Sequence, residues 1–323
     1  MSNPTVPAAS LADIRAAQTR LAAIAMRSPL VRGLPDDAPC ELHLKLDNLQ
    51  PTGSFKVRPV GNVVLTRPAD SLHAGIYTIS SGNSALAVAH LAKRLGIAAT
   101  AVVSAGAPAV KLAGLRALGA RIVELPFDAW WRAVESCNVA GEAGTYIDAA
   151  RDPAAIAGDG SIGVEILEEL AQVDAIFTPL GSGALACGIA CAARALRPGV
   201  KVVACELESA RPFSQARNAG RVISSEARAG FVSGVGFHSL LPEIWPLARA
   251  MIDDSLTVSL AEVAAAIRLL AERHKVIAEG AGALPVAAAL SGRHPYRRVC
   301  AVVSGGNLDG SKLCTVLSGK IPD

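Results

Sequence analysis

Thr178-Pro179-Leu180-Gly181-Ser182-Gly183-Ala184-Leu185-Ala186 is the stretch on which the fold turns. Ala175 to Leu180 is a short apolar run of strand length, and Ala184 to Leu196 carries small and apolar residues over a helical span. A buried strand that opens through glycines directly into a helix offers free backbone N–H groups to a phosphate, and the helix dipole adds to the attraction. The same residues fit the dinucleotide pattern G-x-G-x-x-A, with Glu206 ending the following strand, so a nicotinamide- or flavin-linked oxidoreductase is a serious rival reading. A tight turn without any ligand is the structural alternative.

Outward from this loop the same rhythm repeats. Ile76–Ile79, Thr100–Val103, Arg121–Leu125, Val200–Cys205 and Val299–Val303 read as strands. Ser84–Leu95, Ala109–Leu118, a segment through Trp130 to Ala140, and Leu260–His274 read as helices. Helices are followed by glycine and then a strand at Leu95-Gly96-Ile97 and Leu118-Gly119-Ala120. This alternation predicts an α/β fold of parallel sheets with helices on both faces. Ligands in such folds bind where the carboxyl ends of strands open into helices. Residues 60–147 carry a three-strand rhythm of their own. The expected organisation is a small α/β domain, 60–147, inserted in a large one made of 1–59 and 148–323.

Composition excludes several function classes. The 323 residues are 51% hydrophobic and 4% aromatic, with a formal net charge of +3. Ala, Val, Leu and Ile must therefore fill the core, and no basic face for nucleic acid or polybasic membrane patch is present. The seven cysteines include no C-x-x-C pair, which predicts a reducing, cytoplasmic compartment. Cys187 and Cys191 share a helix face but lack a second ligand pair, so they read as small buried residues rather than metal ligands. Leu11, Ile14, Leu21 and Ile24 recur at helical spacing, and Arg15 and Arg20 interrupt the apolar stretch as no secretory signal does. No run is long and apolar enough for a membrane span, and the short tail after Asn307 is expected to hold no regulatory domain.

Three further segments can carry chemistry. In Pro51-Thr52-Gly53-Ser54-Phe55-Lys56-Val57-Arg58, a lysine beside an apolar ring near a helix start can be desolvated into a Schiff-base nucleophile. It can equally be an ordinary lysine after a turn. Thr78-Ile79-Ser80-Ser81-Gly82-Asn83-Ser84-Ala85 runs from a strand into a helix through groups that bind a carboxylate or phosphate, or that merely cap the helix through Ser81 or Asn83. Val302-Val303-Ser304-Gly305-Gly306-Asn307 ends the last apolar strand with a hydroxyl able to meet a ring nitrogen. A dinucleotide uses only the Gly181 loop. One phosphorylated cofactor with a ring nitrogen and a lysine-bound aldehyde uses all four segments.

In this order the segments resemble the fold-type II pyridoxal-phosphate enzymes, most closely the serine/threonine dehydratase and serine racemase group. The likeness runs from Arg27-Ser28-Pro29-Leu30 to Ser304-Gly305-Gly306-Asn307 and includes Gly160-Ser161-Ile162-Gly163, Asp253-Asp254-Ser255-Leu256-Thr257-Val258 and Glu279-Gly280-Ala281-Gly282-Ala283. It implies pyridoxal 5'-phosphate as cofactor, a homodimer, and dehydration of a 3-hydroxy amino acid to a 2-oxo acid and ammonia. Amino-acid racemisation and β-replacement are the neighbouring alternatives. Lys56 would hold the cofactor and move the substrate α-proton, Phe55 would back the ring, and Asn83 would bond the ring hydroxyl. Gly181, Ser182, Gly183, Ala184 and Leu185 would hold the phosphate, and Ser304 would face the ring nitrogen. Ser81, Gly82, Asn83 and Ser84 would bind the substrate carboxylate, with Ser81 the opposite-face base in a racemase. The uncharged Ser304 hydroxyl would favour elimination over transamination.

The chain departs from the family pattern in places. Where the family continues Ser-Gly-Asn with His-Gly-Gln, this chain has Ser84-Ala85-Leu86, and Ser182 and Ala184 interrupt the usual run of four glycines. Leu86 suggests an apolar or aryl β-substituent, as in phenylserine. The family's divalent-cation site matches Glu206 and the carbonyl of Ala210, but the expected acidic position is Pro212, so no metal is expected.

Overall fold

The computed structural model describes residues 5–33, 38–226 and 228–323; residues 1–4 and 34–37 of the expected large domain lie outside the described residues. In chain order the elements are α1 (Leu11–Leu21), β1 (Leu30–Arg32), β2 (Glu41–Lys45), α2 (Val57–Thr66), β3 (Ile76–Ile79), α3 (Asn83–Leu95), β4 (Ala99–Ser104), α4 (Ala109–Ala117), β5 (Arg121–Leu125), α5 (Phe127–Ser136) and β6 (Thr145–Tyr146). They continue with α6 (Pro153–Glu169), β7 (Ala175–Pro179), α7 (Ala184–Leu196), β8 (Lys201–Leu207), α8 (Pro212–Ala219), α9 (Trp245–Met251), β9 (Asp254–Val258), α10 (Leu260–Leu269), α11 (Gly280–Leu290), β10 (Arg298–Val302) and α12 (Gly310–Leu317).

Local chemistry sets many of these boundaries. Ser10 with Asp13, and Ser259 with Glu262, form reciprocal capping boxes at the starts of α1 and α10. Gly96 takes the left-handed conformation that ends α3. Two expected helices end differently. The one expected through Ala140 stops at Ser136, because Cys137 turns left-handed at φ 54°. The one expected to run to His274 widens after Leu269 into a single π turn.

The described strands make a six-stranded sheet, β1-β2-β10-β7-β8-β9, and a four-stranded sheet, β5-β4-β3-β6. Only β1 runs antiparallel to its neighbour; the other pairs are parallel. The second sheet has one strand more than its three-strand rhythm suggested, because Thr145–Tyr146 pairs with β3. Helices cover both faces, so β3 and β7 are buried along their whole length and read as continuous apolar runs. In the large sheet α6 and α7 cross so closely that a Cβ on Gly188 would lie 2.5 Å from the Ile156 carbonyl oxygen. Only glycine permits that approach.

One register decides where the site forms. β10 lies between β2 and β7, with Val299 opposite both Leu42 and Ala175. The segment after the early strand β2 therefore meets the segment after the last strand. Lys56, the loops after β3 and β7, and Ser304 all line a single cavity of about 500 Å³.

Candidate active site

Lys56 stands immediately before α2 as its N-cap residue. The turn ahead of it holds Thr52 and Gly53 at φ 76° and 71°. For threonine this left-handed conformation is uncommon and persists only where surrounding contacts impose it. Those contacts come from the far end of the chain. Asn307 Nδ2 donates to the Thr52 carbonyl at 2.8 Å. Gly306 N–H donates to Gly53 O, and Phe55 N–H to Ser304 O, each at 2.9 Å. Phe55-Lys56 is thus tied to Ser304-Gly305-Gly306-Asn307, although about 250 residues separate them in sequence. Lys56 Nζ lies 4.7 Å from the centre of the Phe55 ring. Burial lowers the Lys56 pKa from its ordinary value, against the opposing pull of Asp159 and Asp148. A lysine pushed toward its neutral form is both nucleophile and base.

Two helix starts open into the same cavity without side-chain caps. At α3 the N-cap is Gly82, and the first ladder bond is Ala85 N–H to Gly82 O at 3.1 Å. The N–H groups of Asn83 and Ser84 lie ahead of that ladder. The capping reading for Ser81 or Asn83 does not hold: the Ser81 hydroxyl oxygen accepts from Ser104 N–H at 2.7 Å. At α7 the N-cap is Gly183 at φ 95°, and the ladder begins with Cys187 N–H to Gly183 O at 3.0 Å. A Cβ on Gly181 would sit 2.8 Å from the Gly234 carbonyl oxygen, so a side chain there requires the backbone to move. Two uncapped helix N-termini beside one desolvated lysine suit a ligand pair with two anionic groups and a carbonyl. A phosphorylated pyridine aldehyde and an amino acid together meet that description. The Ser304 side chain, 3% exposed, also faces the cavity.

Nearly every residue expected at the site lines this cavity. Ala184 does not; it is buried beneath the loop, with its N–H 3.5 Å from Ser182 Oγ. Leu86 does not either. It packs toward α4, where a Cβ on Gly114 would meet its Cδ2 at 2.8 Å. Glu206 lies fully buried away from the cavity and accepts from Phe213 N–H at 2.8 Å and Ser214 N–H at 3.0 Å, the first turn of α8. That occupation leaves it unable to hold a ribose, which removes the dinucleotide reading's second anchor. Among the described residues, no group of three His, Cys, Asp or Glu side chains is placed to hold a metal ion.

Other residues shape the site besides those expected to bind there. Glu279 accepts from Asn83 Nδ2 and pairs with the buried Lys111 at 3.3 Å, while Asn83 Oδ1 accepts from Asn307 at 3.0 Å. Asp148 and Arg151, 3.2 Å apart, line the same cavity. Asp159 on α6 is fully buried, and neither carboxyl oxygen has a hydrogen-bond partner. Burial pushes its carboxyl up to about 8, although Lys56 pulls the other way. The folded chain therefore keeps a proton on Asp159 that the unfolded chain, at its ordinary 3.8, releases. That contribution to stability is full below about pH 4 and is lost as pH rises through about 8. Asp159→Asn is expected to remove this decline, worth up to about 1.4 kcal/mol per pH unit. Thermal melts of the cofactor-free protein between about pH 5 and 8 check it, and parallel curves for the two proteins would count against it.

The comparisons with known proteins point the same way as this geometry. The family described as "Pyridoxal-phosphate dependent enzyme" matches residues 24–305. The chain is 32% identical over 318 residues to the L-threonine ammonia-lyase of Thermotoga maritima, covering 96% of this chain and 78% of that one. It is 34% identical over 313 residues to the L-threo-3-hydroxyaspartate ammonia-lyase of Saccharomyces cerevisiae, covering 95% and 96%. The solved structure of maize serine racemase superposes with a TM-score of 0.87 at 29% identity, covering 97% of this chain and 98% of that one. A desolvated lysine sharing one cavity with two uncapped helix starts, in a chain matched along almost its whole length, has one consistent explanation: this chain belongs to the pyridoxal-phosphate dependent enzymes.

Proposed function

We propose that the chain is an ammonia-lyase that dehydrates a 3-hydroxy amino acid to a 2-oxo acid and ammonia. The observation that carries this reading is the meeting of Lys56 with the uncapped starts of α3 and α7 in one cavity. Bound pyridoxal phosphate supplies an aldehyde for an amine and a ring that delocalises the electron pair left at the substrate α-carbon. The N-terminus of α7, with Gly181 to Leu185, would hold the phosphate. The Asn83 and Ser84 N–H groups, with Ser81 and Gly82, orient the substrate carboxylate so that the α C–H faces Lys56. Lys56 Nζ would take that proton, and burial, by lowering its pKa, makes its neutral, proton-accepting form easier to reach. Phe55 would back the ring, the Asn83 amide would meet the ring hydroxyl, and the Ser304 hydroxyl would meet the ring nitrogen.

Racemisation is the second reading. It is favoured by Ser81, whose oxygen accepts from Ser104 and whose own proton remains available toward the cavity. The test is to supply the cofactor-loaded protein with L-threonine and L-serine. Release of 2-oxo acid and ammonia is expected, and conversion of L- to D-serine without ammonia would favour the racemase. A protein that pyridoxal phosphate cannot reconstitute to a violet-absorbing form would sink both. We extend the reading to a homodimer, as the resemblance implies, and to a reducing cytoplasmic compartment, on the seven unpaired cysteines.

A further inference from the structure

The outer wall of the cavity is aromatic to a degree that composition does not explain. The chain has six Phe, three Trp and three Tyr, and half of these residues, Phe55, Phe127, Trp130, Trp131, Tyr146 and Phe237, line this one cavity. Phe55 belongs to the lysine side. The others come from α5, β6 and the loop after Gly234. Phe127 stacks on Trp131 with ring centres 6.5 Å apart, and His238 meets Trp131 edge-on at 6.3 Å. The indole N–H groups are occupied elsewhere: Trp130 donates to the Val102 carbonyl at 3.2 Å and Trp131 to Glu135 at 2.9 Å. Their rings therefore offer apolar and π surface rather than donors. Phe127 is 52% exposed at the rim, an apolar side chain left in water beside a cavity that a ring would cover.

The charged side chains that line the same cavity argue against an acidic substrate side chain. Lys111 is paired with Glu279 at 3.3 Å. Arg151 is paired with Asp148 at 3.2 Å and Glu243 at 3.5 Å. Each cation already faces a carboxylate of the protein, so a second substrate carboxylate meets repulsion there as well as attraction.

We propose that the substrate carries an aromatic ring on its β-carbon, bound among Phe127, Trp131 and His238. The inference rests on the ammonia-lyase reading and names its substrate class: an aryl-substituted 3-hydroxy amino acid. The step balances without a further reactant. The α C–H and β C–O bonds break, the C–H electron pair becomes the Cα=Cβ bond, and the hydroxyl leaves as water with the proton. The enamine becomes an imine, which takes back one water and releases ammonia and a 3-aryl-2-oxo acid.

The test compares 3-phenylserine, threonine and 3-hydroxyaspartate on the cofactor-loaded protein. The aryl compound is expected to show at least about a tenfold higher kcat/KM than threonine, the order of one to two aromatic contacts. Phe127→Ala, at a half-exposed position, and Trp131→Leu are each expected to lower the ratio of aryl to threonine kcat/KM about tenfold while retaining the violet absorbance. A readout independent of turnover is tryptophan fluorescence. Two of the three tryptophans are in this wall, and the third, Trp245, is buried against Phe213. Phenylalanine should shift the emission at concentrations where alanine does not. Preference for threonine or 3-hydroxyaspartate, or equal loss for both substrates in the variants, overturns the aryl proposal and leaves the lyase reading standing. No ammonia from any of the three overturns the lyase reading, and the phenylalanine titration then decides the aryl site alone.

Discussion

Lys56→Ala is expected to lower turnover by at least ~10⁴-fold, because one side chain is lost from two roles, cofactor attachment and proton transfer. The variant should still fold. Lys56 lies at the start of α2 rather than within it, and its side chain makes no ion pair among the described residues. It should bind pyridoxal phosphate without the violet absorbance that borohydride abolishes in the parent. Lys56→Arg separates charge from chemistry. Arginine keeps the cation beside Asp159 and Asp148, the two groups that pull on Lys56, yet it does not lose its proton near neutral pH. Both variants are therefore expected to be equally inactive. Single-turnover kinetics and the absorption spectrum measure this, and recovery of activity in Lys56→Arg would show that only positive charge is needed.

The readability of this site from sequence follows from the reach of each signal. The Gly181 loop and the Ser80–Ser84 turn are local, strand-to-helix joins whose backbone N–H groups depend on neighbours in sequence. Their reading needed no tertiary information. Lys56 was no more than an ordinary lysine until its segment was set beside Ser304, a contact made by β2 and β10 pairing across the whole chain. Leu86 failed as a guide to the substrate for a reason of helical geometry. Of α3 only Asn83 and Ser84 line the cavity, and Leu86 packs toward Gly114 of α4 instead. Trp130 and Trp131 read from sequence only as part of a helix. Their place in the wall depends on how that helix lies against β4, fixed in part by the Trp130 bond to Val102. Asp159 and Lys111 had no signal at all, and Glu279 entered only within the Glu279-Gly280-Ala281-Gly282-Ala283 stretch of the family likeness, with no role attached. A lone charged residue in a helix looks exposed in sequence, and only packing reveals it as buried.

The same blindness hid the group that holds Lys56 in place, and its removal gives the largest expected loss of stability. Arg58, two residues on, is 2% exposed. Its guanidinium donates to both oxygens of Asp47 at 2.8 and 3.0 Å and to both oxygens of Glu165 at 2.6 and 2.9 Å. Ser161 Oγ and the Met26 carbonyl accept as well, at 3.0 and 3.2 Å. Burial works against the charge, but Asp47 and Glu165 overcome it and hold the pKa above arginine's ordinary value. Lys45, fully buried, adds a second cation 2.7 Å from Glu165, so two acids face two bases. Arg58→Met leaves Asp47 and Glu165 with one cation between them in a dry interior. Breaking such a set by removing one member costs about 3–5 kcal/mol, or a fall in Tm of roughly 4–7 °C for a chain of 323 residues. Arg58→Lys restores the charge but not the planar fork that grips two carboxylates at once, so it is expected to recover only part of the loss. Combining Arg58→Met with Glu165→Leu should cost less than the sum of the two, because the second change removes one of the stranded acids. Thermal melts of the four proteins measure this, and additive losses would count against a coupled network. Because Glu165 and Ser161 sit on α6 and Arg58 on α2, the network also fixes the start of α2 against the helix that carries Asp159. Arg58→Met is therefore expected to loosen cofactor retention as well, seen as faster loss of violet absorbance on dilution even at temperatures where the variant remains folded.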